Sequence, residues 1–144
     1  MGRDRQRAAE RPGKWQMTGP RIWLPCEVLT SAAFISCGFS ARSLLLELSS
    51  QLRAKHGGIT NNGDLTTAHT VLGPKGWADP KTIRKASAEL ESVGLIVKTR
   101  QGMKPNLANL WALTWLPLNE SPKLDISAAG YPFHAYRKHP PVGI

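Results

Sequence analysis

The run from Asp79 to Asn106 constrains this chain more than any other stretch, because nearly every position in it has a local physical reason. It opens DPKTIRKASAELESVG. Asp79 suits the residue before a helix, where its carboxylate caps free N–H groups, and Pro80 fits the first helical position. Gly94 supplies the left-handed residue that ends such a helix. Ile83, Ala86, Leu90 and Val93 recur at helical spacing and define a buried stripe, while Lys81, Arg84, Lys85 and Ala88 share a different, solvated face. The cations come first and Glu89 and Glu91 second, an order that opposes the helix dipole by about 0.3–1 kcal/mol per charge. A polyanionic partner at the N-terminal half would offset that cost; an ordinary solvated face accounts for the same residues without one.

After Gly94, Leu95 to Arg100 is β-branched and alternates, and Leu110 to Trp115 alternates again with Trp111, Leu113 and Trp115 facing one way. Two strands of a hairpin are expected, joined by the loop Gln101 to Asn106. Residues 95–116 hold Lys98, Arg100 and Lys104 and no acid.

The remaining chain supplies the scaffold. Its 144 residues suffice for one domain with a core plus tails. The 19 Lys+Arg against 10 Asp+Glu give a net charge of +9, and the pI is about 10.1. That balance favours nucleic acid or another acidic partner, although ribosomal or membrane-surface binding fits charge alone equally well. The apolar runs are far too short to span a bilayer and the arginine-rich start has no signal-type apolar core, so the expected place is the cytoplasm, with no membrane partner. Cys26 and Cys37 lie outside any CxxC or Cys/His ligand spacing and read as small buried residues; no metal or cofactor is expected. His56, His69, His134 and His139 are scattered, the acids show no pairing suited to acid–base work, and the glycines lack a phosphate-cradling pattern. An enzyme is therefore not expected.

In chain order, residues 1–21 carry Arg3, Arg5, Arg7, Arg11, Lys14 and Arg21 against Asp4 and Glu10, interrupted by Pro and Gly. This is a flexible basic arm, either following phosphates or merely solubilising. A short helical segment follows from Leu24 to Thr30, and Ala32 to Cys37 continues apolar until Gly38, reading as core. Ser40 is expected to cap a stronger helix, SARSLLLELSSQLRAKH, with a Leu45, Leu48 and Leu52 stripe widened by Leu44 and a stop at Gly57-Gly58. Asn61-Asn62-Gly63 is a turn and Asp64 to Thr66 a minimal strand. Thr66 or Thr67 then caps a helix that finishes near Leu72, because Gly73-Pro74 follows. Across the connector, where Trp77 either touches a sugar or base or, as is commoner at such a corner, plugs the core, and His69 reads as a surface or packed residue, a second helix begins: a helix-turn-helix order. Beyond Pro117 come prolines, a short strand at Leu124 to Ile126, the aromatics Tyr131, Phe133 and Tyr136, and a late basic spot at Arg137, Lys138 and His139. This tail either folds back on the domain or docks on a second subunit or protein partner.

The order helix, helix, minimal strand, short helix, turn, helix, hairpin resembles the winged-helix DNA-binding domain. The string TIRKASAELESVGLIVKTRQG looks like the recognition-helix-to-wing signature of bacterial winged-helix regulators, through Leu90, Gly94, Leu95 and Ile96. The likeness spans residues 24–116 and is similar both to bacterial or phage regulators and to plasmid or phage replication initiators. It implies an α+β fold, a winged helix-turn-helix with helices packed on a small antiparallel sheet and a β-hairpin wing. The divisions are a basic arm (1–21), a winged-helix domain (22–116) and a docking or dimerisation tail (117–144). The connector Gly73 to Ala78 is longer than the usual tight turn, and no ligand-binding or oligomerisation domain is expected after the wing, which disfavours an effector-controlled regulator of the two-domain kind.

The function so implied is sequence-selective binding of double-stranded DNA, as a transcriptional regulator of a bacterial mobile element or phage. Lys81, Thr82, Arg84 and Lys85 would reach base edges or phosphates from the major groove. Arg100, Gln101, Lys104 and Asn106 would hold register on the backbone, with Lys98 adding a phosphate contact. Six neutralising cations correspond to a log–log salt slope of about −5. A homodimer is compatible with this. The competing expectations are a replication-initiator-like DNA binder and a winged-helix module that docks proteins of a replication or defence complex.

Overall fold

The computed structural model describes residues 19–103 and 107–141. The chain is mixed α+β. Two short helices, α1 (Cys26–Leu29) and α2 (Ala32–Ser36), lead into α3 (Phe39–Ser50). A small hairpin, β1 (Ala54–Lys55) with β2 (Gly58–Ile59), then β3 (Leu65–Thr66), precedes α4 (His69–Leu72) and α5 (Pro80–Ser92). β4 (Ile96–Arg100) and β5 (Leu110–Leu113) complete a three-stranded antiparallel sheet of order β3-β5-β4. The expected basic arm lies almost wholly outside the described residues, since only Gly19, Pro20 and Arg21 of it are covered.

β5 is the centre of the sheet, and all four of its residues are buried. Its register sets Leu65 opposite Trp111 on one side and Ile96 opposite Leu113 on the other. Trp111, Leu113 and Trp115 join the core formed by Leu44, Leu45 and Leu48 of α3 and Ile83, Ala86 and Leu90 of α5. Each fully buried leucine among these, such as Leu44, Leu45 and Leu48, contributes about 1.5–3 kcal/mol of transfer free energy. The expected stripes on α3 and α5 are therefore the ones that pack, except that Leu52 lies past the end of α3 and is only partly buried.

Three local expectations are corrected. The helix α3 begins at Phe39, and its cap is Gly38, not Ser40; the N–H of Gly38 donates to Glu89 Oε1 at 2.6 Å. It stops at Ser50 instead of running to Gly57. Asn61 Oδ1 takes the Arg53 N–H, and the Gln51 amide forms a two-way bridge to the backbone of Thr66, so long-range partners compete with the helix. The stretch expected as its last turn is instead the β1-β2 ribbon, turned by His56 and Gly57 at φ 52° and 79°, the conformation of a tight hairpin turn. The cap of α4 is Ala68, whose own N–H donates to Thr66 Oγ1 at 3.0 Å, so Thr66 turns the chain without capping the helix.

The segment beyond Pro117 folds back. No strand forms at Leu124 to Ile126, but the Asp125 N–H donates to Thr99 O at 2.7 Å along the outer edge of β4. Tyr136 is 2% exposed and belongs to the core cluster, and Arg137 pairs with Glu27 of α1. That guanidinium holds the Glu27 carboxyl below its usual range. Asn62 ties the segment to the sheet. Its buried amide donates to the carbonyls of Leu113, Leu116 and Pro117 and accepts the Leu113 N–H at 2.8 Å, while Asn119 Oδ1 accepts the Asn62 N–H at 2.8 Å and the Asn119 N–H donates to Asn62 O at 2.9 Å. No helix among the described residues is long and apolar enough to cross a membrane.

Candidate nucleic-acid interface

Capping, termination and a braced turn position α5. Asp79 Oδ1 accepts the Lys81 N–H at 2.9 Å, with Pro80 in the first helical position. At the other end Gly94 adopts φ 83°, its N–H bonds to Glu91 O and the Leu95 N–H to Leu90 O, a closure that satisfies two terminal carbonyls. Any other residue at 94 would also put a Cβ 2.8 Å from Ala135 O.

The connector before α5 is tighter than its length implies. A 3-10 turn, Gly73–Lys75, prolongs α4, and Gly76 at φ 102° closes it with the Trp77 N–H on Leu72 O. Only Gly76, Trp77 and Ala78 then separate the helices before the Asp79 cap. Trp77 packs against the core, as expected of a plug. Two side chains brace the turn: His69 Nε2 lies 3.1 Å from Ala78 O, and Lys75 pairs with Glu47 of α3 at 3.7 Å.

On α5 the exposed face carries Lys81, Thr82, Arg84 and Lys85, as the helical spacing predicts. None of these three cations has an acid partner among the described residues. The later acid Glu89 is committed to the N-terminus of α3 through Gly38, where the dipole of α3 favours it. Half of the adverse charge order on α5 thus has an internal explanation.

The ribbon is closed more firmly than its sequence indicates. A register shift between Lys98 and Arg100 leaves Thr99 buried, with its hydroxyl donating to Gly63 O at 2.6 Å. Arg100 Nη2 donates to Ala108 O at 2.9 Å, and Arg100 Nε is buried without a partner among the described residues. The guanidinium thus straps the mouth of the ribbon, beside the Gly102 N–H on Asn109 Oδ1 at 2.6 Å. Lys98 stands opposite Trp111 with its ammonium 5.4 Å from the ring centroid, and donates to Gln101 Oε1 at 3.1 Å. The Gln101 N–H donates to Asp125 Oδ2, so folding brings an acid to a ribbon whose own strands have none. Lys104 and Asn106 lie outside the described residues.

Sequence reasoning overlooked a cleft of about 370 Å³ between α5 and the ribbon mouth, lined by Thr67, His69, Arg84, Ser87, Ala108 and Asn109 among others. Its position is set by Trp111 Nε1 donating to Thr67 Oγ1 at 3.0 Å, which links the start of α4 to the centre of the sheet. The small polar residues at 67, 87 and 109 carried no signal of their own, because only the fold sets them side by side. The helix and the ribbon thereby form the two walls of one concave, cation-bearing surface. No group of three His, Cys, Asp or Glu among the described residues is placed to hold a metal. No family model, no curated protein and no solved structure matches the chain.

Proposed function

We propose that the chain is a winged helix-turn-helix protein that binds double-stranded DNA sequence-selectively and acts as a transcriptional regulator of a bacterial mobile element or phage. The observation that carries this reading is Arg84, on an exposed α5 face that also bears Lys81 and Lys85, facing the ribbon mouth at Ala108 and Asn109 across one cleft. The chain order β3, α4, α5, β4, β5 supports it, being the order of elements on which the resemblance rests.

In this arrangement α5 enters the major groove by its N-terminal half, and the ribbon lies along the flanking backbone. Arg84 is the base reader, since a guanidinium bonds bidentately to guanine and one such contact is worth about 1–3 kcal/mol of discrimination. Lys81 and Lys85 flank it as phosphate contacts, and Thr82 supplies a short hydroxyl that serves either purpose. Lys98 reaches the backbone from its seat on Trp111, with Gln101 holding it. Arg100 positions the ribbon without needing to touch DNA.

Selection of bound sequences from a random duplex pool by the purified full chain tests this directly. A consensus is expected; a palindrome implies a two-fold dimer and direct repeats an initiator-like array. A pool that emerges without enrichment removes sequence selectivity and favours a protein-docking module.

A further inference from the structure

A second groove lies at the other end of β5. The α5 cleft is lined by Ala108 and Asn109, just before the strand, whereas Leu116, just after it, lines a groove of about 850 Å³ between residues 20–23 and the β1-β2 ribbon. Leu52, Ile59 and Trp23 give this groove apolar walls, and Arg21 and Arg53 also line it. No acid does. Trp23 is 70% exposed, an unusual state for the largest apolar side chain in a protein that buries Trp111 and Trp115.

The ribbon itself carries charge of one sign. Residues 48–63 hold Arg53, Lys55 and His56 and no acid. The acids that bracket them point their charge elsewhere, Glu47 to Lys75 and Asp64 to Lys123. The ribbon is held in place by the Arg53 N–H on Asn61 Oδ1 at 2.7 Å and by Asn119 Nδ2 donating to Ile59 O at 3.0 Å. An exposed indole beside a fixed basic ribbon is the combination that grips unpaired nucleotides: the ring stacks on a base while the cations follow the phosphates.

We infer that this groove binds single-stranded DNA, with Trp23 as the stacking platform and Arg53 and Lys55 as phosphate contacts, independently of the duplex surface on α5. That the strand is DNA and not RNA rests on the proposed duplex function. A protein with both faces holds a junction between paired and unpaired DNA.

The test is fluorescence anisotropy of a labelled oligothymidylate of about 12 nucleotides, within the site sizes of such grooves. It is titrated with the full chain alone and with the chain saturated by a duplex. Binding is expected in both cases. Trp23→Ala should weaken it by about 5- to 150-fold, the range that stacking of one base carries, and Arg53→Ala with Lys55→Ala should reduce the salt slope by about 1.4. Trp23 and the two cations are surface residues, so circular dichroism should be unchanged and duplex affinity retained. The inference is overturned if oligothymidylate does not bind, if the duplex displaces it, or if these variants leave its affinity unaltered. It is equally overturned if Trp23→Ala abolishes only self-association, which would make a second copy the occupant. Tighter binding of an oligouridylate of equal length would overturn the assignment to DNA. Loss of duplex binding alone, with oligothymidylate binding intact, would remove the α5 reading and leave the groove standing.

Discussion

The carboxylate of Glu89 accepts the backbone N–H of Gly38 at 2.6 Å, so an acid in the C-terminal half of α5 caps the N-terminus of α3. Glu91, two residues on, is exposed and makes no such contact. Glu89→Ala should therefore destabilise the chain by about 0.5–2 kcal/mol, the usual cost of losing a helix cap. Glu91→Ala should stay within about 0.5 kcal/mol. Urea unfolding followed by circular dichroism compares them, and equal effects would remove the capping role.

Asn62 presents a larger liability. Its amide is fully buried and serves carbonyls on three residues that join β5 to the C-terminal segment, besides the Leu113 N–H. Asn62→Ala strands several of these groups in a water-excluded place, at about 1–3 kcal/mol for each one left unsatisfied. A loss of at least about 3 kcal/mol is expected, against less than about 1.5 kcal/mol for Ser92→Ala, whose hydroxyl bonds only within its own helix. Denaturant midpoints at constant m-value distinguish the two.

Alkaline pH should loosen the same junction. The Tyr131 hydroxyl donates to Leu113 O and Leu116 O, each at 2.7 Å, and burial pushes its pKa up to about 12, with the Asn62 amide acting the other way. The folded-state value lies above the unfolded value of about 10, so the protonated form is the one that folding favours. Its contribution is fully present below about pH 10 and is lost as pH rises toward 12. Tyr131→Phe should lower stability near neutrality by about 0.5–1.5 kcal/mol and flatten the alkaline decline. Some decline will persist, because burial also raises Tyr136. Urea midpoints measured across that pH range check the prediction; a parallel decline in both proteins contradicts it.

The parts of the fold that were legible are those whose causes are local. Asp79, Pro80 and Gly94 mark α5 from inside a single segment, and the apolar runs from Leu95 and Leu110 mark β4 and β5 as strands, although β5 is buried at all four positions instead of alternating. The end of α3 was not legible, since the helical run to His56 yields to the bridges from Gln51 to Thr66 and from Asn61 to Arg53, made across the fold. Asn62 read correctly as part of a turn, yet its burial depends on residues more than fifty positions away. The cations of α5 were legible as a surface, because helical spacing alone exposes them. Arg100 was not legible as a strap, because its partner Ala108 lies across a loop of unspecified shape. The groove at Trp23 needs residues 20–23 beside 52–59, a proximity that no pattern within either segment encodes.

The central claim is that the exposed face of α5 neutralises DNA phosphates and reads base edges. It is tested most directly by duplex affinity as a function of salt, for the wild type and for the combined Lys81→Ala, Arg84→Ala and Lys85→Ala variant. With Arg84 assigned to a base edge and Arg100 committed to Ala108 O, the described surface offers Lys81, Lys85 and Lys98 to phosphates, and the wild-type log–log slope should be at least about −2.7 in magnitude. The variant should lose about 1.8 of that slope, through Lys81 and Lys85, together with the sequence preference that Arg84 carries. A wild-type slope near zero, or a variant that matches the wild type in slope and preference, would contradict the account.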